Sequence, residues 1–204
     1  MRNVVIHGIH QIPNALYIGG IAILGFQGFQ RGTADDGNII TGLQKGFHDL
    51  HALGWLDRVP RLFGVQAKGS AAIASAWQRG SEEIVPVSAR TLADSISVDL
   101  PRDGARAVRA VVQSGGAYLT VSDADILKAM VDLGRVGVFA EPAAAAAYAG
   151  LRQAVREGRL GEEDRVVVLI TGSGLKDVRA AAEAVGEAKV IEASLGAVKS
   201  ALGL

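Results

Sequence analysis

The apolar run VVVLI (166–170) breaks into TGSGLKD (171–177). Thr171 and Ser173 carry hydroxyls, while Gly172 and Gly174 permit a tight turn and close approach of backbone to a ligand. If the turn opens a helix, free amide groups at the helix start would also face an anion. The same glycines would serve a plain strand-to-helix connection, and spacing alone leaves the two readings even. A second glycine turn, ADDGNIITG (34–42), also opens a helical pattern. Its backbone amides and helix dipole suit a phosphate. Asp35 and Asp36 repel one, so local chemistry tilts towards an acidic helix cap.

The remaining polar candidates are weaker. His48 and His51 stand one helical turn apart, as do His7 and His10, but no neighbouring carboxylate completes a metal motif. They read as exposed or edge histidines, and no metal site is expected. Glu141-Pro142 ahead of an alanine run reads as a helix start whose acid the dipole explains. No Ser-His-Asp arrangement, paired-carboxylate logic or Walker-type loop stands out. A generic nucleotide-binding domain is the least favoured reading, because no G-x-G-x-x-G follows the first strand.

These turns need elements to hold them. Residues 37–54 place apolar side chains at helical spacing and close on Gly54. A strand is expected over 61–67, a helix over 70–80, a polar loop over 88–104, a helix over 105–116 and a strand over 117–123. Ser122 with Asp125 three residues on forms a partial capping box, since glutamate or glutamine is the usual partner. Helices follow over 124–134 and 143–158. RVVVLIT (165–171) reads as a central strand buried on both faces. A helix over 176–186 and a closing strand or loop with a short helix complete the chain. This alternation predicts an α/β fold: a mostly parallel sheet with helices on both faces.

Composition limits the partners. The chain has 204 residues, with 21 basic side chains balanced by 21 acidic ones. That balance argues against nucleic acid, and gives no reason to expect a membrane surface or an acidic substrate. There are no cysteines, which removes disulfides and thiolate metal sites and fits a cytoplasmic location. NALYIGGIAILGF (14–26) is too short to span a bilayer, where about 20 residues are needed, and makes a poor signal peptide. It reads as a buried strand, or as a segment foreign to the fold that follows.

Four stretches occur in an order that resembles the pyridoxal-phosphate enzymes of fold type II, threonine synthases in particular. They are KGFHDLHALGWLDRVPRLFGVQAKG (45–69), ADSISVDLPRDGARAVRAVVQSGG (93–116), VFAEPAAAAAYAGL (138–151) and VVVLITGSGLKD (166–177). TGSGLKD discriminates, because the related dehydratases usually carry a Ser-Gly-Gly-Asn type turn there. The resemblance covers about residues 36–204. It implies the large-domain fold of that class, pyridoxal 5'-phosphate as cofactor, and conversion of O-phosphohomoserine to L-threonine and phosphate by a homo-oligomer. Thr171 matches the hydroxyl that bonds the pyridine nitrogen, with Gly172 beside it in the turn. Gly37, Asn38 and Ile39 match the loop whose amides grip the cofactor phosphate.

Departures from the family pattern matter as much. No Ser-Phe-Lys-Asp-like stretch with the Schiff-base lysine precedes residue 36, and Lys176 matches a different family position, so no catalytic residue is assigned. Asp35 stands where the family has glycine. Residues 1–35 form an atypical amino-terminal segment without family resemblance. The chain is therefore expected to be a truncated, carboxyl-terminal portion of a threonine synthase-like lyase. The alternative is a non-catalytic remnant serving as an oligomerisation or binding module.

Overall fold

The structure is a computed structural model that describes residues 37–186 and 190–204, with residues 4–8 and 21–25 as backbone. The described strands are β1 (Val4–Gly8), β2 (Ile21–Gly25), β3 (Arg61–Ala67), β4 (Ala117–Val121) and β5 (Val166–Ile170). The described helices are α1 (Asn38–Ala52), α2 (Ala72–Gln78), α3 (Gly104–Gln113), α4 (Asp123–Gly134), α5 (Pro142–Arg156), α6 (Val178–Val185) and α7 (Leu195–Leu202). The polar stretch between α2 and α3 is irregular apart from one 3-10 turn at Asp94–Ile96, as its Pro and Gly content predicts.

All four strand pairings are parallel, in the order β1-β5-β2-β3-β4. Val166 stands opposite both Val4 and Ile21, so β5 joins two strands drawn from the segment without family resemblance. The strand within 14–26 lies between β5 and β3, while residues 14–20 and 26 fall outside the described residues. Parallel pairing demands crossovers, and helices supply them on both faces. On one face α1, α2 and α3 gather over β3 and β4; on the other α5 lies across β2 to β5, with α4 and α6 beyond it.

The alanines of α5 have a packing reason. Ala143 to Ala147 are buried, and a side chain at Gly150 would meet Val65 Cγ2 at 2.3 Å. Small residues let α5 settle close on the sheet, which larger side chains would hold away. Burial also separates the strands. In β3 every residue after Arg61 is buried, whereas in β5 Val167 and Leu169 are only half-buried. Burial of β5 on both faces is thus not observed, because α5 is the helix that packs closely on it among the described residues.

The capping box at α4 is complete rather than partial. Ser122 Oγ accepts from Asp125 N at 3.1 Å, and Asp125 Oδ2 accepts from Ser122 N at 3.3 Å. The shorter aspartate still reaches back, and its bond with the Ser122 hydroxyl holds its carboxyl below the usual range. Ser122→Ala is expected to cost about 1 kcal/mol, read as a fall of roughly 2–4 °C in a thermal melt.

Candidate functional site

Strands β2 and β5 are neighbours and run the same way, so their carboxyl ends open at one edge of the sheet. In open parallel sheets that edge is where ligands bind. Strand β5 delivers Thr171 there. The Thr171 hydroxyl oxygen is buried and has no hydrogen-bond partner among the described residues. Burying a hydroxyl unpaired is costly, which makes this atom the candidate for a ligand contact.

The turn is clamped from the side. Glu141 N donates to the Gly172 carbonyl at 3.0 Å, Gly174 N donates to the Phe139 carbonyl at 2.9 Å, and Ala140 bridges Ser173. A Cβ at Gly174 would lie 2.4 Å from Phe139 Cε2, so a side chain there requires that half-exposed ring to shift. The expected opening of the turn into a helix is displaced. A 3-10 turn, Gly174–Lys176, intervenes, and α6 begins only at Val178. Asp177 Oδ1 takes the Ala180 amide at 2.9 Å, placing a carboxylate where an anion would sit. The turn at 171–177 therefore offers no open helix start to an anion.

At α1, Gly37 is the residue before the helix, buried and at φ 86°, and as a glycine it offers no side-chain cap of its own. Its carbonyl accepts from Thr41 N at 3.2 Å and Thr41 Oγ1 at 3.0 Å. The first turn holds no acidic residue, and the amides of Asn38 and Ile39 stand at the positive end of the helix dipole. Asn38 is exposed and Ile39 half-buried. Asp35 and Asp36 lie outside the described residues. Strand β2 leads through 26–36 to Gly37, as β5 leads to Thr171, but no hydrogen bond joins the two groups among the described residues. His48 and His51 are exposed, as expected, and no metal-holding cluster occurs among the described residues.

Sequence reasoning missed Glu141. Its helix position suggests a dipole partner, yet its side chain makes no capping bond and is 3% exposed. Oε1 has no partner, and Oε2 lies 3.9 Å from Lys176 Nζ. Burial pushes this carboxyl above the usual range, Lys176 pulls it down, and Asp177 pushes it further up. Beside it a cavity of about 130 Å³ is lined by Asp94, Ser95, Pro142, Lys176 and Asp177. The available signal was an acid placed before a run of alanines, where little polar company exists to solvate it.

The raised folded-state pKa has a definite sign. The stability tied to Glu141 is full below its unfolded pKa and is lost as pH rises through the raised value. Glu141→Gln is expected to melt with the parent at acid pH and above it at neutral pH. A gap that fails to widen across a pH series of melts contradicts a buried, uncompensated carboxylate.

A parallel sheet with helices on both faces, whose strand β5 ends at the orphaned Thr171 hydroxyl, is an α/β fold of the fold type II kind. The chain belongs to the family described as pyridoxal-phosphate dependent enzyme, which matches residues 33–172. Threonine synthase of Methanosarcina acetivorans is 38% identical over 165 residues, 80% of this chain and 41% of that protein. Threonine synthase of Mycobacterium tuberculosis is 38% identical over 167 residues, 81% of this chain and 44% of that protein. The chain spans about two fifths of the length of these curated relatives. Among solved structures, the processed form of threonine deaminase isoform 2 from Solanum lycopersicum superposes with TM-score 0.63 at 18% identity, over 82% of this chain and 44% of that one. Threonine synthase from Escherichia coli gives 0.59 at 20% identity, over 86% and 37%. These likenesses show the fold.

Proposed function

We propose that this chain supplies the pyridine-ring side of a threonine synthase-like, pyridoxal-phosphate-dependent lyase that converts O-phosphohomoserine to L-threonine and phosphate. The observation that carries this reading is the buried, partnerless Thr171 hydroxyl at the carboxyl end of β5. When bound, the cofactor supplies an electron-withdrawing ring that stabilises negative charge developing on the substrate. Thr171 bonds the ring nitrogen through a neutral hydroxyl, which tempers that pull because it does not hold the nitrogen protonated as an aspartate would. Gly172 would let the backbone approach the ring, and its carbonyl is held by Glu141 N. The amides of Asn38 and Ile39, with the left-handed Gly37 ahead of them, would hold the phosphate.

Lys176 is turned towards Glu141 and keeps its structural place. In this reading the Schiff-base lysine comes from outside the matched stretch. A cytoplasmic setting fits the cysteine-free composition. Among the described residues no helix is long and apolar enough to cross a membrane.

Thermal melts of the purified chain against pyridoxal phosphate test the proposal. At ten times the dissociation constant the ligand should add about 1.4 kcal/mol, a rise of roughly 3–5 °C. Inorganic phosphate should reproduce a smaller part of it through α1. A flat response to millimolar cofactor removes the cofactor reading and leaves a binding or oligomerisation module.

A further inference from the structure

Glu141 is a charged side chain that the fold buries without satisfying it. It is 3% exposed, and its Oε1 has no hydrogen-bond partner among the described residues. Lys176 Nζ lies 3.9 Å from Oε2, beyond hydrogen-bond reach. A buried carboxylate in that condition costs free energy that a donor at Oε1 would recover. Space for a donor exists. Glu141 lines the cavity of about 130 Å³, together with Asp94, Ser95, Pro142, Ala143, Lys176 and Asp177. Pockets for drug-sized molecules begin at about 300 Å³, so only a small ligand fits. The lining carries acids at 94, 141 and 177 against the single amine of Lys176, which draws in a positive group. These acids do not converge as a metal-holding cluster, so that group is a hydrogen-bond donor. A ligand with a positive charge alone would be opposed by Lys176. One that carries both charges meets both groups.

We propose that this cavity binds a small α-amino acid as its zwitterion, with the ammonium at Glu141 and the carboxylate at Lys176. An ammonium carries donors, and Oε1 is an acceptor that lacks one. In an α-amino acid the ammonium and carboxylate are joined through a single carbon, which suits an acid and an amine 3.9 Å apart. Depth agrees with this orientation. Glu141 is buried, so the ammonium enters first; Lys176 is exposed, so the carboxylate stays at the mouth. Ser95, half-buried in the lining, offers a hydroxyl to that end. Lys176 keeps its attraction for Glu141 when the ligand enters, because an ammonium has several donors to share. Burial holds the Glu141 carboxyl above its usual range, and a bound ammonium would draw it down as Lys176 already does. Pro142 and Ala143 supply the apolar lining, and the volume limits the ligand's side chain to one the size of a methyl or hydroxymethyl group. Thr171 is not among the lining residues, so the site does not rest on the cofactor reading.

Thermal melts and calorimetry of the purified chain, with no pyridoxal phosphate added, test the site. L-Alanine at ten times its dissociation constant should raise the midpoint by roughly 3–5 °C, and glycine should act likewise. Methylamine carries only the ammonium and acetate only the carboxylate, so each should bind weaker than L-alanine by roughly tenfold or more. L-Phenylalanine should be excluded by size. Glu141→Gln removes the charge from a variant expected to fold at least as stably as the parent at neutral pH. It should weaken L-alanine by roughly tenfold or more, as should Lys176→Met. A flat response to L-alanine overturns the proposal and leaves the separate titration with pyridoxal phosphate standing. Methylamine binding as well as L-alanine would make this a simple cation site and overturn it too. So would L-alanine binding that survives Glu141→Gln.

Discussion

Thr171→Val is expected to act in opposite directions on two measurements. Without ligand the variant should melt a few degrees above the parent, because the replaced hydroxyl is buried with no partner. Leaving such a group unsatisfied costs about 1–3 kcal/mol, and valine keeps the β-branched shape while removing the polar atom. With pyridoxal phosphate the order reverses. The ring nitrogen would face a methyl group, and losing a buried hydrogen bond while leaving its partner unpaired should weaken binding by tenfold or more. The phosphate-induced part of the stabilisation should survive, since α1 is untouched. A variant less stable than the parent in the absence of ligand would mean that the hydroxyl already has a partner. The assignment of Thr171 to the ring would then fail.

Gly37→Ala should be the most damaging single-methyl change at the site. A Cβ at Gly37 would lie 2.7 Å from Ala107 Cβ and 2.8 Å from the Asp103 carbonyl oxygen. The carbonyl belongs to the backbone at the start of α3 and cannot swing aside. The left-handed conformation adds about 1–2 kcal/mol for any side chain, and overpacking about 1–3 kcal/mol. A loss of about 2–5 kcal/mol follows, roughly 4–20 °C in a melt, together with loss of the phosphate response as Asn38 and Ile39 shift. Gly46 is the internal control. It lies within the same helix with nothing within 4 Å of its Cβ position, so alanine there should stabilise by about 1 kcal/mol. If both substitutions behave alike, the glycine at 37 is not a conformational requirement.

Most elements and the two turns were legible in the sequence, and the reason is locality. The helix at 38–52 follows from apolar spacing within one segment, the strand at 61–67 from a short run after Pro60, and the cap at Ser122 from a residue three places on. The turns at 34–42 and 171–177 stood out because glycines at element ends are written in consecutive residues, while the roles expected of Thr171, Gly172, Gly37, Asn38 and Ile39 came from the resemblance. What depends on residues far apart was not legible. Nothing near Val166 states that it pairs with both Val4 and Ile21, or that helices would leave Val167 and Leu169 half-covered. The partial exposure of β5 arises from where α1 to α3 gather, which is a matter of packing. Glu141 shows the difference most plainly. Its sequence neighbours indicate a helix start, which α5 provides. Its burial, its partnerless oxygen and its raised pKa come from the clamp of 139–141 on the turn at 172–174, a contact across about thirty residues of chain. Sequence determined which groups could do chemistry, because side-chain type and local backbone geometry are encoded residue by residue. Tertiary structure decided which of them were taken out of water, because desolvation is set by everything that packs around a group.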